Sequence, residues 1–128
     1  MKLVSAQEVI EFHDRQIAAF GGVPGMPDPG RADAIIHRVL NMHYYQGITE
    51  IFDLAGVYLV AIARGHIFND ANKRTALFVA QIFLLRNGIR LQGVESEGML
   101  LDLAVNAATG KLDYKEVAIR LRLLEKGA

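Results

Sequence analysis

The chain has 128 residues, 14 basic and 14 acidic side chains and no net charge, so no global field would draw it onto nucleic acid or an anionic membrane. That length suits one domain spanning residues 1–128, and a hydrophobic fraction of 52% against 22% charged excludes a disordered chain. The absence of cysteine excludes disulfides, thiolate metal sites and a cysteine nucleophile.

Helix signals recur along almost the whole sequence. Ser5-Ala6-Gln7-Glu8 reads as a capping box, followed by Val9, His13, Ile17 and Phe20 on one face. Gly21-Gly22 stops that helix, and Val23-Pro24-Gly25-Met26-Pro27 must be a loop. Asp28-Pro29 offers an N-cap with proline at the first helical position, and the next stripe is Ile35, Ile36, Val39, Leu40 and His43, ending near Gly47. Thr49 is expected to cap a third helix, apolar nearly all round from Ile51 to Ala63 and therefore central. A fourth runs from Thr75 to Asn87 and ends at Gly88.

Beyond it, Ile89-Arg90-Leu91-Gln92 suits a short extended piece, and Ser96 is a cap for a fifth helix through Met99, Leu100, Leu103 and Ala107. Asp113-Tyr114-Lys115-Glu116 repeats the capping-box pattern ahead of Val117, Leu121 and Leu124. The expected fold is all-α, a compact domain of about six helices with a polar loop between two central ones. No signal-peptide core is present in Met1–Ala6, and the longest apolar stretch, Leu54 to Ala63, is about half of a bilayer span. A cytoplasmic protein without membrane contact is therefore expected.

That loop, His66-Ile67-Phe68-Asn69-Asp70-Ala71-Asn72-Lys73-Arg74, sets an imidazole, a carboxylate, an amide, an ammonium and a guanidinium between two apolar helices. Polar groups near a core must all find partners, so such a cluster is costly unless it serves chemistry. The free N–H groups of a helix start favour an anion, and Lys73 and Arg74 add two cations there. Asn72 can donate to a phosphate oxygen, and Asp70 is a hard ligand suited to Mg²⁺. An imidazole titrates at roughly 6.5, which makes His66 the group fitted to act as a base at neutral pH. Ile67 and Phe68 are expected to anchor the loop inward. Two readings stay open at this level: machinery for transferring a phosphorus group to a hydroxyl, or a capped, salt-bridged surface turn. Glycine does not precede the Lys-Arg pair, so this is not a P-loop, and one histidine with one aspartate is not a zinc site.

The segment resembles the signature of the Fic/Doc family, His-Pro-Phe-x-Asp/Glu-Gly-Asn-Gly-Arg. His66, Phe68, Asp70, Asn72 and Arg74 are kept, while Ile67, Ala71 and Lys73 replace the proline and the two glycines. These departures, with Gly21-Gly22-Val23-Pro24-Gly25 and Asp28-Pro29-Gly30-Arg31 upstream, resemble the Doc (death-on-curing) branch of toxins. The resemblance implies that His66 takes a proton from a target hydroxyl, Asp70 holds Mg²⁺, and Asn72 and Arg74 bind nucleotide phosphates. Lys73 fills the place of a glycine that admits phosphate in adenylylating members, and Leu77 stands where those have a second arginine. Both changes point away from AMP transfer. The resemblance to the Doc branch implies instead ATP-dependent phosphorylation of elongation factor Tu, which halts protein synthesis. A nucleotidyltransferase using the same residues, or a catalytically silent module binding its antitoxin, are the rival readings.

Many Fic proteins block their own site with a Ser/Thr-x-x-x-Glu-Gly/Asn helix, and this sequence has none; Glu97-Gly98 follows Gly93, not Ser or Thr, at that spacing. An external brake is implied, a small antitoxin whose tail folds into an apolar groove. Any DNA binding would belong to that partner. Of the remaining polar residues, His13 and His43 fall on apolar stripes as core histidines, although His13 also resembles the Doc-like pattern, and His37 and Tyr44-Tyr45 suit the surface or a helix end. Arg64, two residues before His66 at a helix C-terminus, is a candidate nucleotide contact.

Overall fold

A computed structural model describes residues 1–93 and 97–127. Six α-helices follow one another: α1 Ala6–Phe20, α2 Arg31–Tyr45, α3 Ile51–Arg64, α4 Asn72–Arg86, α5 Glu97–Ala108 and α6 Tyr114–Leu123. No helix is long and apolar enough to cross a membrane among the described residues. The all-α expectation holds. The short extended piece is realised as one antiparallel bridge between Leu91 and Glu125, closed by Gln92 N–H to Leu124 O at 2.7 Å and Lys126 N–H to Arg90 O at 2.7 Å.

α3 is the central helix, as its all-round apolarity implies, and packs against α2, α4, α5 and α6. Leu54, Ala55, Tyr58, Leu59 and Ile62 have no exposed surface. Gly56 lets α6 approach it, since a Cβ there would lie 2.3 Å from the Tyr114 carbonyl oxygen. The extended N-terminal segment is stitched to this frame. Tyr58 Oη donates to Val4 O at 2.7 Å and accepts from Val4 N–H at 2.9 Å, and burial pushes its pKa up to about 12. Asn87 exchanges two bonds with Lys2, and Arg86 donates to Leu3 O while pairing with Glu8.

The capping boxes Ser5/Glu8 and Asp113/Glu116 form as the sequence predicts. Two other caps differ. Asp28 Oδ1 accepts from Gly30 N–H at 3.0 Å, closing an Asx turn, so α2 starts only at Arg31 with Gly30 as an uncapped N-cap. α3 is capped not by Thr49 but by Glu50, whose carboxylate accepts from Asp53 N–H at 2.9 Å. α4 begins three residues earlier than expected, so Asn72, Lys73 and Arg74 form its first turn. Phe20, placed on the apolar face of α1, is 72% exposed because the helix runs past the core before Gly21 ends it. The Ser96 cap lies outside the described residues.

Candidate active site

The loop joining α3 to α4 is fixed from below before it presents anything to solvent. Gly65 closes α3 where a Cβ would lie 2.2 Å from Ile35 Cδ1, so the chain turns tightly against α2. Ile67 and Phe68 are buried anchors, as expected. Asn72 then ties the loop across its neck: its Oδ1 accepts from Phe68 N–H at 3.0 Å and its Nδ2 donates to Phe68 O at 2.9 Å. This pair mimics a backbone ladder rung and leaves one amide hydrogen of Asn72 for a ligand. His66 and Ala71 flank the loop with left-handed φ angles of 49° and 65°. Non-glycine residues take that conformation only where the surroundings hold them, and such strain concentrates at working sites.

The side chains above this base face outward. His66 is exposed and its imidazole makes no hydrogen bond among the described residues, while its carbonyl accepts from Arg31 Nη1 at 3.1 Å. Lys73 is exposed as well. Arg74 is half-buried and donates from Nη2 to Gly21 O at 3.1 Å. α4 has no acidic residue in its first turn and no side-chain cap. Its first intrahelical bond is Thr75 N–H to Ala71 O, so the N–H groups of Asn72, Lys73 and Arg74 lack acceptors among the described residues. Three free donors, the positive dipole end and two cations make this helix start receptive to phosphate.

Asp70 sits at the seam with the α1–α2 loop. Its Oδ2 accepts from Val23 N–H at 3.0 Å and its Oδ1 from Ala71 N–H at 2.8 Å. These two bonds, Val23 first, hold its carboxyl below the usual aspartate range, with Arg74 assisting and burial opposing. The group is thus ionised at any physiological pH. Among the described residues no cluster of three His, Cys, Asp or Glu could cage a metal. The donor set nonetheless fits Mg²⁺, which takes one or two carboxylates and completes its shell with phosphate oxygens and water. Each Asp70 oxygen keeps a lone pair for it.

The sequence reading missed the second wall of the site. Residues 21–25 lie along the loop: Asn69 N–H donates to Gly25 O at 3.0 Å, and Asn69 Nδ2 donates to Pro24 O at 3.1 Å. Gly22, at φ 128°, is required there, since a Cβ would lie 2.8 Å from Asp70 Oδ2 and 3.2 Å from Arg74 Nη2. The advance signals were the glycine density of 21–25 and the part that Gly21-Gly22-Val23-Pro24-Gly25 plays in the Doc resemblance, neither of which says that its backbone bonds to the loop. His13, read as a core histidine, is buried but bonds the Asp70 carbonyl. Arg64 spends two of its donors on other backbone carbonyls. Its Nε and Nη2 donate to Ala107 O at 2.6 Å and Leu112 O at 2.7 Å, tying α3 to the α5 end. It also borders a cavity of about 510 Å³ between α2, α3 and α6, which Arg31, Arg38 and Gly65 share but His66, Asp70 and Arg74 do not.

Comparison with known proteins places the sequence in a family. The sequence model of the Fic/DOC family matches residues 3–84, which include both walls of the site. The chain is 52% identical to "Protein kinase doc" of Escherichia phage P1 over 124 residues, 97% of this chain and 96% of the relative. It is 34% identical to "Toxin Doc" of Mycolicibacterium smegmatis over 104 residues, 80% of each. By the match that runs through α1, the glycine loop and the His66–Arg74 segment, this chain belongs to the Fic/DOC family.

Proposed function

We propose that this protein is the toxin of a toxin–antitoxin pair, a kinase that moves the γ-phosphoryl group of ATP to a hydroxyl of a translation protein, elongation factor Tu being the expected target. The observation that carries the reading is the exposed imidazole of His66, unpartnered among the described residues, beside a helix start whose first three N–H groups have no acceptor among those residues and which adds two cations. The names of the two relatives, one a kinase and one a toxin, favour the same reading.

In this reaction His66 accepts the proton of the attacking hydroxyl as its oxygen bonds to the γ-phosphorus and the bond to the β-phosphate oxygen breaks, releasing ADP. The α4 N–H groups, Lys73, Arg74 and the spare hydrogen of Asn72 hold the phosphate oxygens as charge shifts among them. Asp70 holds Mg²⁺, which supplies neutralisation of phosphate charge. Arg64 can add only its remaining Nη1 to a nucleotide, across the cavity it borders. Lys73 supports phosphate over AMP transfer, because its long cationic side chain occupies the place where adenylylating relatives carry glycine. A small cytoplasmic antitoxin, seated in an apolar groove, would restrain a site that carries no inhibitory helix motif of its own.

Intact-mass measurement of elongation factor Tu after incubation with this protein, ATP and Mg²⁺ tests the reading. A gain of about 80 Da is one phosphate, and about 329 Da would instead be one AMP. With His66→Ala the gain is expected to slow by about 10²- to 10⁴-fold. A fully active His66→Ala protein overturns the proposal.

A further inference from the structure

Outside the groups assigned to the transfer, the buried polar residue with the most specific surroundings is His13. It is fully enclosed on α1, and its ring lies parallel to that of Phe68, with 3.6 Å between centroids and 2° between planes. Nδ1 meets Asp14 Oδ1 at 3.1 Å, and Nε2 meets the carbonyl oxygen of Asp70 at 2.9 Å. A carbonyl only accepts, so Nε2 carries the hydrogen and donates it. The bond joins residues 57 apart in sequence and lands on the backbone of the active loop.

That carbonyl is one end of the Asp70–Ala71 peptide. The C=O and N–H of a trans peptide point in opposite directions. The N–H at the other end is that of Ala71, which donates to Asp70 Oδ1 at 2.8 Å. One peptide plane therefore decides whether the carboxylate faces a donor or an acceptor. Its orientation is not the relaxed one, because φ 65° at Ala71 is a left-handed conformation that crowds an alanine's Cβ. Rotation of this peptide by half a turn would carry the Ala71 φ to a negative value and out of the left-handed region. It would also turn a carbonyl oxygen toward the carboxylate in place of the N–H.

We propose that His13 is a positioning residue of the active site: by donating from Nε2 to the Asp70 carbonyl, it locks the strained Asp70–Ala71 peptide and so aims the Asp70 carboxylate. The consequence for catalysis rests on the reading of Asp70 as the Mg²⁺ ligand; the positioning itself does not.

The test compares His13→Gln, whose Nε2 can replace the imidazole donor, with His13→Leu, which fills space without a donor. The first readout is the carboxyl titration of Asp70, followed by NMR in the protein without nucleotide. The second is the Mg²⁺ concentration giving half-maximal phosphate transfer. His13→Leu is expected to move the Asp70 titration up toward the ordinary aspartate range and to raise the Mg²⁺ requirement about 10- to 100-fold, as loss of a ligand's supporting contact does. His13→Gln keeps both near the parent. In an Ala71→Gly background, where the left-handed φ is unstrained, the effect of His13→Leu shrinks several-fold. If the leucine variant does not fold, His13→Asn replaces it, because its shorter amide reaches the Nδ1 position but not the carbonyl. An unmoved Asp70 titration in the folded leucine or asparagine variant overturns the proposal, as does an identical loss in both backgrounds. A moved titration with an unmoved Mg²⁺ requirement upholds the positioning role and overturns the assignment of Mg²⁺ to Asp70.

Discussion

α1 and α6 begin the same way, and α4 begins in the opposite way. At the first two, Ser5 with Glu8 and Asp113 with Glu116 satisfy end donors reciprocally and bring an acid to the positive end of the dipole. At α4 the N-cap is a left-handed alanine, no side chain caps it, and its first turn carries Lys73 and Arg74 where acids would stabilise it. The capped ends serve the fold. The bare end leaves donors and positive potential for a ligand, at a cost in local stability that the buried anchors Ile67 and Phe68 and the Asn72–Phe68 clamp offset.

The sharpest way to break this contrast is Lys73→Glu, which gives α4 the acid its first turn lacks. Phosphate transfer is expected to fall by about 10²-fold or more, while the helix gains roughly 0.3–1 kcal/mol. Opposite signs in activity and melting temperature are the mark of a functional bare end, and a loss in both would refute it. The mirror experiment is Asp113→Ala at a capped end, which should cost about 1 kcal/mol in denaturant unfolding and leave transfer unchanged. Next in size is Ala71→Gly, expected to stabilise by about 0.5–1 kcal/mol because the left-handed N-cap no longer strains a Cβ; equal or lower stability would mean the turn is unstrained.

The smallest effect concerns acid. The Arg86 guanidinium, chiefly, with the Ser5 N–H holds the Glu8 carboxyl below the usual glutamate range, and burial only partly opposes this. A depressed carboxyl contributes stability above its unfolded value and loses it as pH falls through the lower folded one. Melting temperature should therefore decline as pH drops through and below the ordinary glutamate range, and decline less in Glu8→Gln. An identical acid limb in both proteins would remove Glu8 from the account.

The capping boxes were legible because each lies within four residues, and the central place of α3 because apolarity on all sides leaves a helix no solvent face. The start of α4 was not. Asn72, Lys73 and Arg74 carry no apolar stripe, and the N-cap is set by the backbone of Ala71, which no capping residue type announces. His66, Asp70 and Arg74 could be named from the signature, but the wall opposite them could not. It is made by Gly21 O, Val23 N–H, Pro24 O and Gly25 O, backbone atoms common to any sequence, reached across 44 to 53 positions. Arg64 shows the converse, a cation beside the motif whose donors serve an architectural tie that no local pattern encodes.

α4 can also be regarded mechanically. Its 15 residues make a beam about 22 Å long. At the far end Arg86 and Asn87 grip Lys2, Leu3 and Glu8, while Tyr58 clasps Val4 alongside. At the near end the beam carries the phosphate-receptive turn. Lys2, Leu3 and Val4 therefore act as a rear clamp for that turn, and trimming them would let the beam rock at its near end without touching any residue of the turn itself.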